Sequence, residues 1–311
     1  MGAPSGTLTT QALVRRNLRG KRLDVKEIAF QGVLLLSLLM SLLILLVLLA
    51  EVVQSGIGVL TDRGTNFVTS NMSSINEKTA GVLQGVIGSL GTLVFVLLVA
   101  VPLGIGAAVY LEEYAADTRF NRFINVNIRN LAGVPSIVYG LLGLAIFVEL
   151  FGALTGGKTM IAGGLTLAVL VLPIVIITSA EALRAVPDTI REAGYGVGAT
   201  RWEVIRHHVL PSAAPGILTG TILSLARALG ETAPVLLVGA VTGFLATGGA
   251  NFFEQMRDRF TTLPTIVFAW SGLPSRDFRE LTSAAILVLL LVILTANLAA
   301  ILLRNRYERK W

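Results

Sequence analysis

Two opposite charges, Arg227 and Glu231, stand four residues apart in the otherwise uncharged stretch S-L-A-R-A-L-G-E-T-A-P-V-L-L-V-G, residues 224–239. Side chains at i and i+4 share one helix face, so the guanidinium and the carboxylate can pair directly. A guanidinium can also bind two oxygens of an oxyanion such as phosphate. The pair is therefore either a structural lock on its helix or an anion site in which Glu231 holds Arg227 when the site is empty.

The composition is that of an integral membrane protein. Of 311 residues, 54% are hydrophobic and only 14% are charged, whereas a soluble domain carries about 25% charged residues. The chain has no cysteine and only two histidines, which argues against a disulfide framework, a thiol nucleophile and a Cys or His metal site. The net charge of +6 points to membrane orientation and anionic lipid rather than to nucleic acid.

Six apolar runs are long enough to cross a bilayer, which takes about 20 helical residues. They predict an all-α polytopic membrane protein with six transmembrane helices at Ile28–Ala50, Thr79–Leu111, Asn130–Val148, Thr159–Ala180, Gly216–Val241 and Leu281–Leu303. Seventeen of the chain's 25 Lys and Arg residues fall on the side of the two termini. The positive-inside rule therefore predicts that both termini are cytoplasmic.

These spans divide the chain into a cytoplasmic basic tail, a first transmembrane helix, an extracytoplasmic loop, a permease core of five helices and a cytoplasmic tail. Their predicted bounds are 1–27, 28–53, 54–79, 80–303 and 304–311. The core contains a cytoplasmic loop at 181–215 and an extracytoplasmic segment at 243–279, which either lies on the outer interface or dips into it. Prolines inside four spans predict kinks that neighbouring helices must compensate: Pro102, Pro135, Pro173 and Pro234.

Residues 152–159 read G-A-L-T-G-G-K-T and fit the P-loop pattern G-x-x-x-x-G-K-[ST]. A P-loop follows a buried strand and opens a helix, so that its backbone amides hold phosphates. Here the match links two predicted spans on the outer side, where ATP is not supplied. We interpret it as a glycine-rich turn between helices, and we expect no catalytic residue and no enzymatic activity in this chain.

The 181–215 loop has well-specified helix boundaries. Two capping boxes predict helix starts, at Thr189 with Glu192 and at Thr200 with Glu203. Gly198 suits the left-handed position that ends the first helix, and Pro211 is expected to close the second.

On the second of these helices, Trp202, Ile205 and Val209 are expected to share one face. An apolar face among arginines serves either to dock a partner protein or to anchor the loop in the membrane interface. The residue pattern by itself leaves both open.

The loop E-A-G-Y-G-V-G-A-T-R-W-E-V-I-R-H-H-V-L-P, residues 192–211, resembles the EAA loop of membrane subunits of binding-protein-dependent ABC importers. Gly194 replaces the second alanine of that motif, and His208 stands where an aliphatic residue is usual. In the family this loop forms the coupling helix that fits a groove on the ATPase. The resemblance thus implies ATPase docking by Glu192, Ala193, Gly194, Gly198, Trp202, Leu210 and Pro211.

Three further stretches are similar to PstA-type phosphate permeases: residues 100–115, 130–144 and 226–238. The resemblance implies a type I ABC importer permease fold in a bacterial cytoplasmic membrane, with Arg227 and Glu231 on the substrate pathway. It also implies a sister permease of PstC type, a dimeric ATPase of PstB type and a phosphate-binding protein of PstS type. This chain would bind no cofactor, and ATP and Mg²⁺ would be used by the ATPase.

Three alternatives remain open at this point. The chain could serve an importer of another oxyanion, such as sulfate, molybdate or a phosphonate. It could be a secondary transporter that couples protons through Glu231 without an ATPase, or a purely structural membrane scaffold. The EAA-like loop favours an ATPase-dependent importer over a secondary transporter, and the charged pair and the kinked spans argue against a scaffold.

Overall fold

The structure, a computed structural model, describes residues 25–240 and 256–307. Helices make up most of this part of the chain, and no strand occurs in it. In chain order the α-helices are α1 Val25–Arg63, α2 Thr65–Thr69, α3 Leu83–Phe95, α4 Val101–Val109, α5 Arg119–Ala132, α6 Ser136–Gly143, α7 Gly152–Thr155, α8 Met160–Arg184, α9 Asp188–Gly196, α10 Arg201–Val204, α11 Leu210–Gly230, α12 Ala233–Leu237, α13 Leu263–Ser271 and α14 Arg276–Tyr307.

Five helical segments of the described residues are long and apolar enough to cross a membrane: Lys26–Arg63, Leu83–Tyr114, Met160–Arg184, Arg201–Gly230 and Arg276–Arg306. A sixth span arises if the bent pair Arg119–Ala132 and Ser136–Leu150 is counted as one. The prediction of a polytopic helical membrane protein is confirmed.

The first helix is longer than its predicted span of 28–53. It continues through Gly56 and Gly58 to Arg63. It ends at Gly64, whose φ of 53° lies in the left-handed region that only glycine enters freely. Within residues 26–49 the leucines are exposed, as with Leu36 at 65% and Leu38 at 64%. That exposure is expected of a helix whose solvent is hydrocarbon.

Two prolines follow π-helical turns. The N–H of Val101 donates to Val96, and the N–H of Leu210 donates to Ile205, five residues back in each case. The next residue is a proline, Pro102 or Pro211, which has no N–H and needs room near the preceding turn. A π-helical turn supplies that room within a continuous helix.

The prediction that Pro211 closes a helix is therefore wrong. The helical path runs without a break from Arg201 to Gly230. As a result, the second helix of the 181–215 loop and the fifth predicted span are one element.

The third predicted span, Asn130–Val148, is not one straight helix. α5 ends at Ala132, α6 starts at Ser136, and their axes differ by 102°. Pro135 is extended, with ψ 137°, and a proline also pushes the residue before it out of the helical region. The apolar run therefore joins an amphipathic helix, α5, to a second, apolar helical segment, α6 with the π-helical turn Leu144–Leu150.

α8 is the central helix of residues 52–307. It is buried along most of its length and packs against α3, α4, α5, α6 and α11. Pro173 lies inside it without breaking it. α11 approaches α8 at two glycines, since a Cβ on Gly216 would lie 2.7 Å from Ala182 and one on Gly220 would overlap the side chain of Thr178. The small-residue pair at 216 and 220 thus permits close helix packing.

The segment 243–279 was expected either to lie on the outer interface or to dip into it. Its residues 243–255 lie outside the described range, and α13 occupies part of the rest. α13 packs against α3 and α14, and its Leu263, Ile266 and Trp270 are fully buried. The Nε1 of Trp270 donates to the backbone oxygen of Ser73 at 3.1 Å. This helix is therefore part of the protein core.

Replacing Gly220 with alanine should destabilise the fold, because the added Cβ meets Thr178 in a packed interface. Overpacking of this kind costs about 1–3 kcal/mol. Gly106 of α4 has no atom within 4 Å of an added Cβ, so Gly106→Ala should be neutral or stabilising by up to about 1 kcal/mol. Thermal unfolding of the two variants in detergent measures the difference, and equal melting temperatures would contradict the packing described here.

Candidate functional site

Arg227 and Glu231 lie at a break in the fifth predicted span, between α11 and α12. α11 ends at Gly230, Glu231 is extended with φ −77° and ψ 127°, and α12 begins at Ala233. The predicted contact is confirmed, since Arg227 Nε lies 3.4 Å from Glu231 Oε1. The expectation of one helix continuing to about residue 241 is wrong.

The sequence around the break supplies its physical cause. Gly230 is a weak helix former at the last helical position. Pro234 stands in the first turn of α12, where its missing N–H costs nothing but where it cannot extend a hydrogen-bonded ladder from α11. The break frees backbone groups beside Glu231, and such irregular backbone is tolerated at membrane depth where protein or a cavity surrounds it.

The two charges differ in exposure. The Arg227 side chain is 46% exposed, whereas that of Glu231 is 18% exposed. Arginine carries five N–H donors, and the shortest distance to Glu231 is that from Nε, at 3.4 Å. Because nearly half of the Arg227 side chain is exposed, its guanidinium can bind an oxyanion while Glu231 remains beside it.

α6 forms one wall of this site. α12 packs against α6 so closely that a Cβ on Gly140 would lie 2.7 Å from the Cα of Pro234. The neighbouring Tyr139 is buried at 5% exposure, donates its hydroxyl to the backbone oxygen of Leu131 at 2.9 Å, and lies within electrostatic reach of Arg227. Tyr139 was not among the predicted site residues. The one sequence feature that could have indicated it is an aromatic residue with a hydroxyl group shortly after Pro135.

The G-A-L-T-G-G-K-T stretch is a turn between helices, as predicted. It starts with the short helix α7, and Thr159 caps α8 by accepting a hydrogen bond from the N–H of Ala162 at 3.4 Å. Both flanks are helical, so the strand that a P-loop requires is not there. Within the described residues no three or more His, Asp or Glu side chains cluster as metal ligands would.

The 181–215 loop contains two short helices, α9 and α10, joined at Gly198 with φ 83°, the left-handed conformation that was predicted. The second capping box is confirmed. Thr200 Oγ1 accepts from the N–H of Glu203 at 3.4 Å, and the N–H of Thr200 donates to Glu203 Oε2 at 2.8 Å.

The prediction of a first capping box, at Thr189 with Glu192, is wrong. α9 begins at Asp188, so Thr189 lies inside the first turn, and no side chain caps the helix. Pro187 occupies the N-cap position in an extended conformation, with ψ 139°. Its fixed φ already directs the chain into the helix two residues earlier than an N-cap at Thr189 would.

The expected single face of Trp202, Ile205 and Val209 is divided in the structure. Ile205 and Val209 are fully buried in this chain's own core, whereas Trp202 is 52% exposed. The π-helical turn Ile205–Val209 changes the angular spacing of the residues that follow Val204, and it turns both aliphatic side chains toward the helix bundle. Trp202 alone of the three is left for contact with another surface.

The other docking candidates differ in burial. Glu192, Ala193, Gly198 and Pro211 are exposed, Leu210 is half-buried and Gly194 is buried. A Cβ on Gly194 would lie 2.7 Å from Val204, so glycine at this position lets α9 pack on α10. Two exposed apolar residues that sequence reasoning missed also lie here, Tyr195 at 44% and Val197 at 85%, and their signal was their position beside Gly198.

The family model of the binding-protein-dependent transport system inner membrane component matches residues 100–311. The chain belongs to this family.

Relatives in the family include PstA 1, a phosphate transport system permease protein of Mycobacterium tuberculosis H37Rv. It is 36% identical over 72% of this chain and 70% of its own length. The Haemophilus influenzae PstA is 31% identical over 86% of this chain and 89% of its own length. The probable ABC transporter permease YqgI of Bacillus subtilis is 36% identical, and the match covers 60% of this chain and 61% of YqgI.

Solved structures show the fold. The MetNI methionine ABC transporter in an inward-facing conformation aligns with a TM-score of 0.57 at 16% identity, over 73% of this chain and 98% of that one. A bacterial transporter for the acidic polysaccharide alginate aligns with a TM-score of 0.62 at 15% identity, over 91% and 99%. The predicted type I ABC importer permease fold is confirmed for this family member.

Replacing Gly198 with alanine should loosen the connection between α9 and α10. Nothing lies within 4 Å of an added Cβ, so the effect comes from the left-handed backbone, which costs an L-residue about 1–2 kcal/mol. Amide hydrogen exchange in α9 and α10 should accelerate by about 5–30-fold. The matched control Gly196→Ala adds a methyl group to α9 with nothing within 4 Å, and exchange that is equally fast in both variants would contradict this explanation.

Proposed function

We propose that this chain is the membrane-spanning permease subunit of an ATP-driven phosphate importer and forms half of its translocation pathway. The observation that carries the proposal is the break between α11 and α12, with the half-exposed side chain of Arg227 beside it. The similarity to PstA proteins over most of the chain supports phosphate as the substrate.

The chemistry of Arg227 suits phosphate. Its terminal nitrogens form a planar fork that matches two phosphate oxygens, and its charge is permanent. Glu231 occupies Nε in the empty site, and its negative charge repels a phosphate that has arrived. Capture and release are thereby balanced, because the same carboxylate that orients the arginine also weakens anion retention.

The helix break supports a pathway role in a second way. Transport sites near the membrane midplane are commonly built where helices are interrupted, because free backbone groups and helix ends can then contact the substrate. α11 and α12 meet at Glu231 in this manner. An uninterrupted helix with an internal ion pair would instead fit the structural-lock interpretation.

The proposed cycle is alternating access. A binding protein of PstS type delivers phosphate outside, and a sister permease of PstC type supplies the other half of the pathway. Two ATPase subunits of PstB type, which use ATP and Mg²⁺, close beneath the 181–215 loops. Both termini and this loop are cytoplasmic in the proposed bacterial membrane topology, in line with the distribution of Lys and Arg.

The loop and the anion site belong to one helical path from Arg201 to Gly230. A helix rises 1.5 Å per residue, so this path spans roughly 40 Å between Trp202 and Arg227. The π-helical turn at Ile205–Val209 keeps it continuous despite Pro211. Movement of the ATPase is therefore transmitted to the anion site along one continuous helix.

Replacing Arg227 with glutamine should reduce phosphate uptake to background while assembly is retained, since glutamine removes the charge and the fork. Arg227→Lys should recover only part of the rate, because lysine is a point charge. Uptake of labelled phosphate by the assembled transporter in vesicles measures both. The matched control is Arg276→Gln, which removes the arginine from an exposed i, i+4 pair with Glu280 at 3.7 Å and should leave uptake unchanged.

The same vesicles separate the alternatives. Uptake of Arg227→Gln at the wild-type rate would exclude a pathway role for Arg227. Uptake that persists without the ATPase and follows a proton gradient would indicate a secondary transporter. Import of sulfate, molybdate or a phosphonate in preference to phosphate would assign another oxyanion to the same site.

Replacing Trp202 with alanine should weaken ATPase binding. A half-exposed tryptophan on a docking surface is the type of residue that dominates interface energy, at about 2 kcal/mol or roughly 30-fold in affinity. Co-purification and titration with the partner ATPase measure the loss. Phe268→Ala removes a 62% exposed aromatic of α13 as a control, and unchanged binding by Trp202→Ala would contradict docking through this loop.

A further inference from the structure

Three consecutive residues at the end of the second span each contact a different arginine of the 181–215 loop. The span ends in a π-helical turn, Tyr110–Tyr114. The pairs are Glu112 with Arg184, Glu113 with Arg191, and Tyr114 with Arg201. These six residues are called the arginine clamp below.

The central pair is the most buried. Arg191 Nη2 donates to Glu113 Oε1 at 2.7 Å, and the two side chains are 17% and 5% exposed. Arg191 also donates to the backbone oxygens of Val186 at 2.8 Å and Leu183 at 3.0 Å. Hydrogen bonding to Glu113 raises the pKa of Arg191, so this cation stays charged while it joins α9 both to the end of α8 and to the second span.

The two outer pairs extend the contact to both sides. Arg184 ends α8, and its Nε donates to Glu112 Oε2 at 3.2 Å while Nη2 donates to Oε1, a two-point contact. Arg201 begins α10, and its guanidinium carbon lies 5.0 Å from the centre of the Tyr114 ring, within the range of a cation–π interaction. The clamp therefore contacts the loop at three places: the end of α8, α9, and the start of α10.

Helix geometry explains how adjacent residues reach three separate places. Successive side chains on a helix point about 100° apart, so three in a row spread over a wide arc. The second span has no covalent link to the loop, and its direct packing with α8 is exemplified by Gly104 against Val175. Ala108 and Val109 of the second span also share a buried apolar cluster with Val204 and Ile205 of the loop. The clamp adds ion pairs and a cation–π contact to this apolar packing.

We propose that Glu112, Glu113 and Tyr114 are positioning residues that make the second span move with the 181–215 loop. This inference rests on the proposed function, in which an ATPase displaces the loop. α11 then moves with the loop because it continues the same helix, and the second span moves with the loop through the clamp. ATP-driven displacement thereby reaches two helices of the pathway, and loss of the clamp reduces the movement of the second span with the loop.

The test uses the outer pair of Glu112 with Arg184, because its arginine is 58% exposed, although the Glu112 side chain is only 15% exposed. Glu112→Arg and Arg184→Glu should each lower the phosphate imported per ATP hydrolysed by about 5-fold, the factor expected for losing one such interaction. Basal ATP hydrolysis and ATPase co-purification should be unchanged. The double variant Glu112→Arg with Arg184→Glu restores an opposite-charge pair and should recover most of the ratio.

The matched control is the exposed pair of Arg122 with Asp117, whose Nη2 and Oδ1 atoms lie 3.2 Å apart. Both of these residues lie between the second span and α6 in the chain and pair with each other, and they line the same cavity as Glu112 and Arg184. Arg122→Glu and Asp117→Arg should leave phosphate per ATP at the wild-type value. A loss in the control equal to that in the clamp variants would overturn the inference.

The remaining outcomes are also decisive. Wild-type coupling in both single variants, or no recovery in the double variant, would overturn the clamp. A lower yield of assembled transporter with unchanged phosphate per ATP would show a merely structural role and would equally overturn it. If the unmodified transporter imports no phosphate or binds no ATPase, the proposed function itself fails, and that result is distinguishable because it precedes any substitution.

Discussion

Backbone N–H and C=O groups inside a membrane must find partners within the protein, because hydrocarbon offers none. Interrupted helices are therefore tolerated in a membrane where another element covers the freed backbone groups. The break at Glu231 lies beside α6, where Gly140 admits Pro234 at close range. The π-helical turns before Pro102 and Pro211 keep helices continuous where a proline would otherwise leave an unpaired carbonyl. This constraint determines which irregularities the chain can use for function.

The anion site and the 181–215 loop are linked by the same constraint. Because Pro211 follows a π-helical turn rather than a helix end, one path runs from Trp202 to Arg227. That path terminates at Gly230, so the charges lie at its tip rather than along its middle. A half-exposed arginine at the end of a rigid element can change its surroundings when the element moves, which is the requirement for alternating access.

Burial distinguishes the residues of the loop that maintain the fold from those available to a partner. Ile205 and Val209 belong to the core, as do Gly194 and Val204, and they fix α9 and α10 against the bundle. Trp202, Tyr195 and Val197 remain exposed. The arginine clamp holds this arrangement to the second span with charges that the sequence distributes over two distant segments.

Composition and apolar run length by themselves determined the class of protein, because spanning a bilayer demands long uncharged helices whatever their neighbours are. The contact of Arg227 with Glu231, the turn at 152–159, the left-handed Gly198 and the Thr200 capping box were also predictable, since each depends on residues at most a few positions apart. The helix break at Glu231, the bend at Pro135, the π-helical turns and the side of the loop that Trp202 occupies were not. Those features depend on which helix packs beside each irregular segment, and Glu112, Glu113 and Tyr114 find their arginines only because the fold brings together segments more than 70 residues apart. Local sequence thus fixes what each segment can form, and tertiary packing decides which of those forms has its polar groups satisfied.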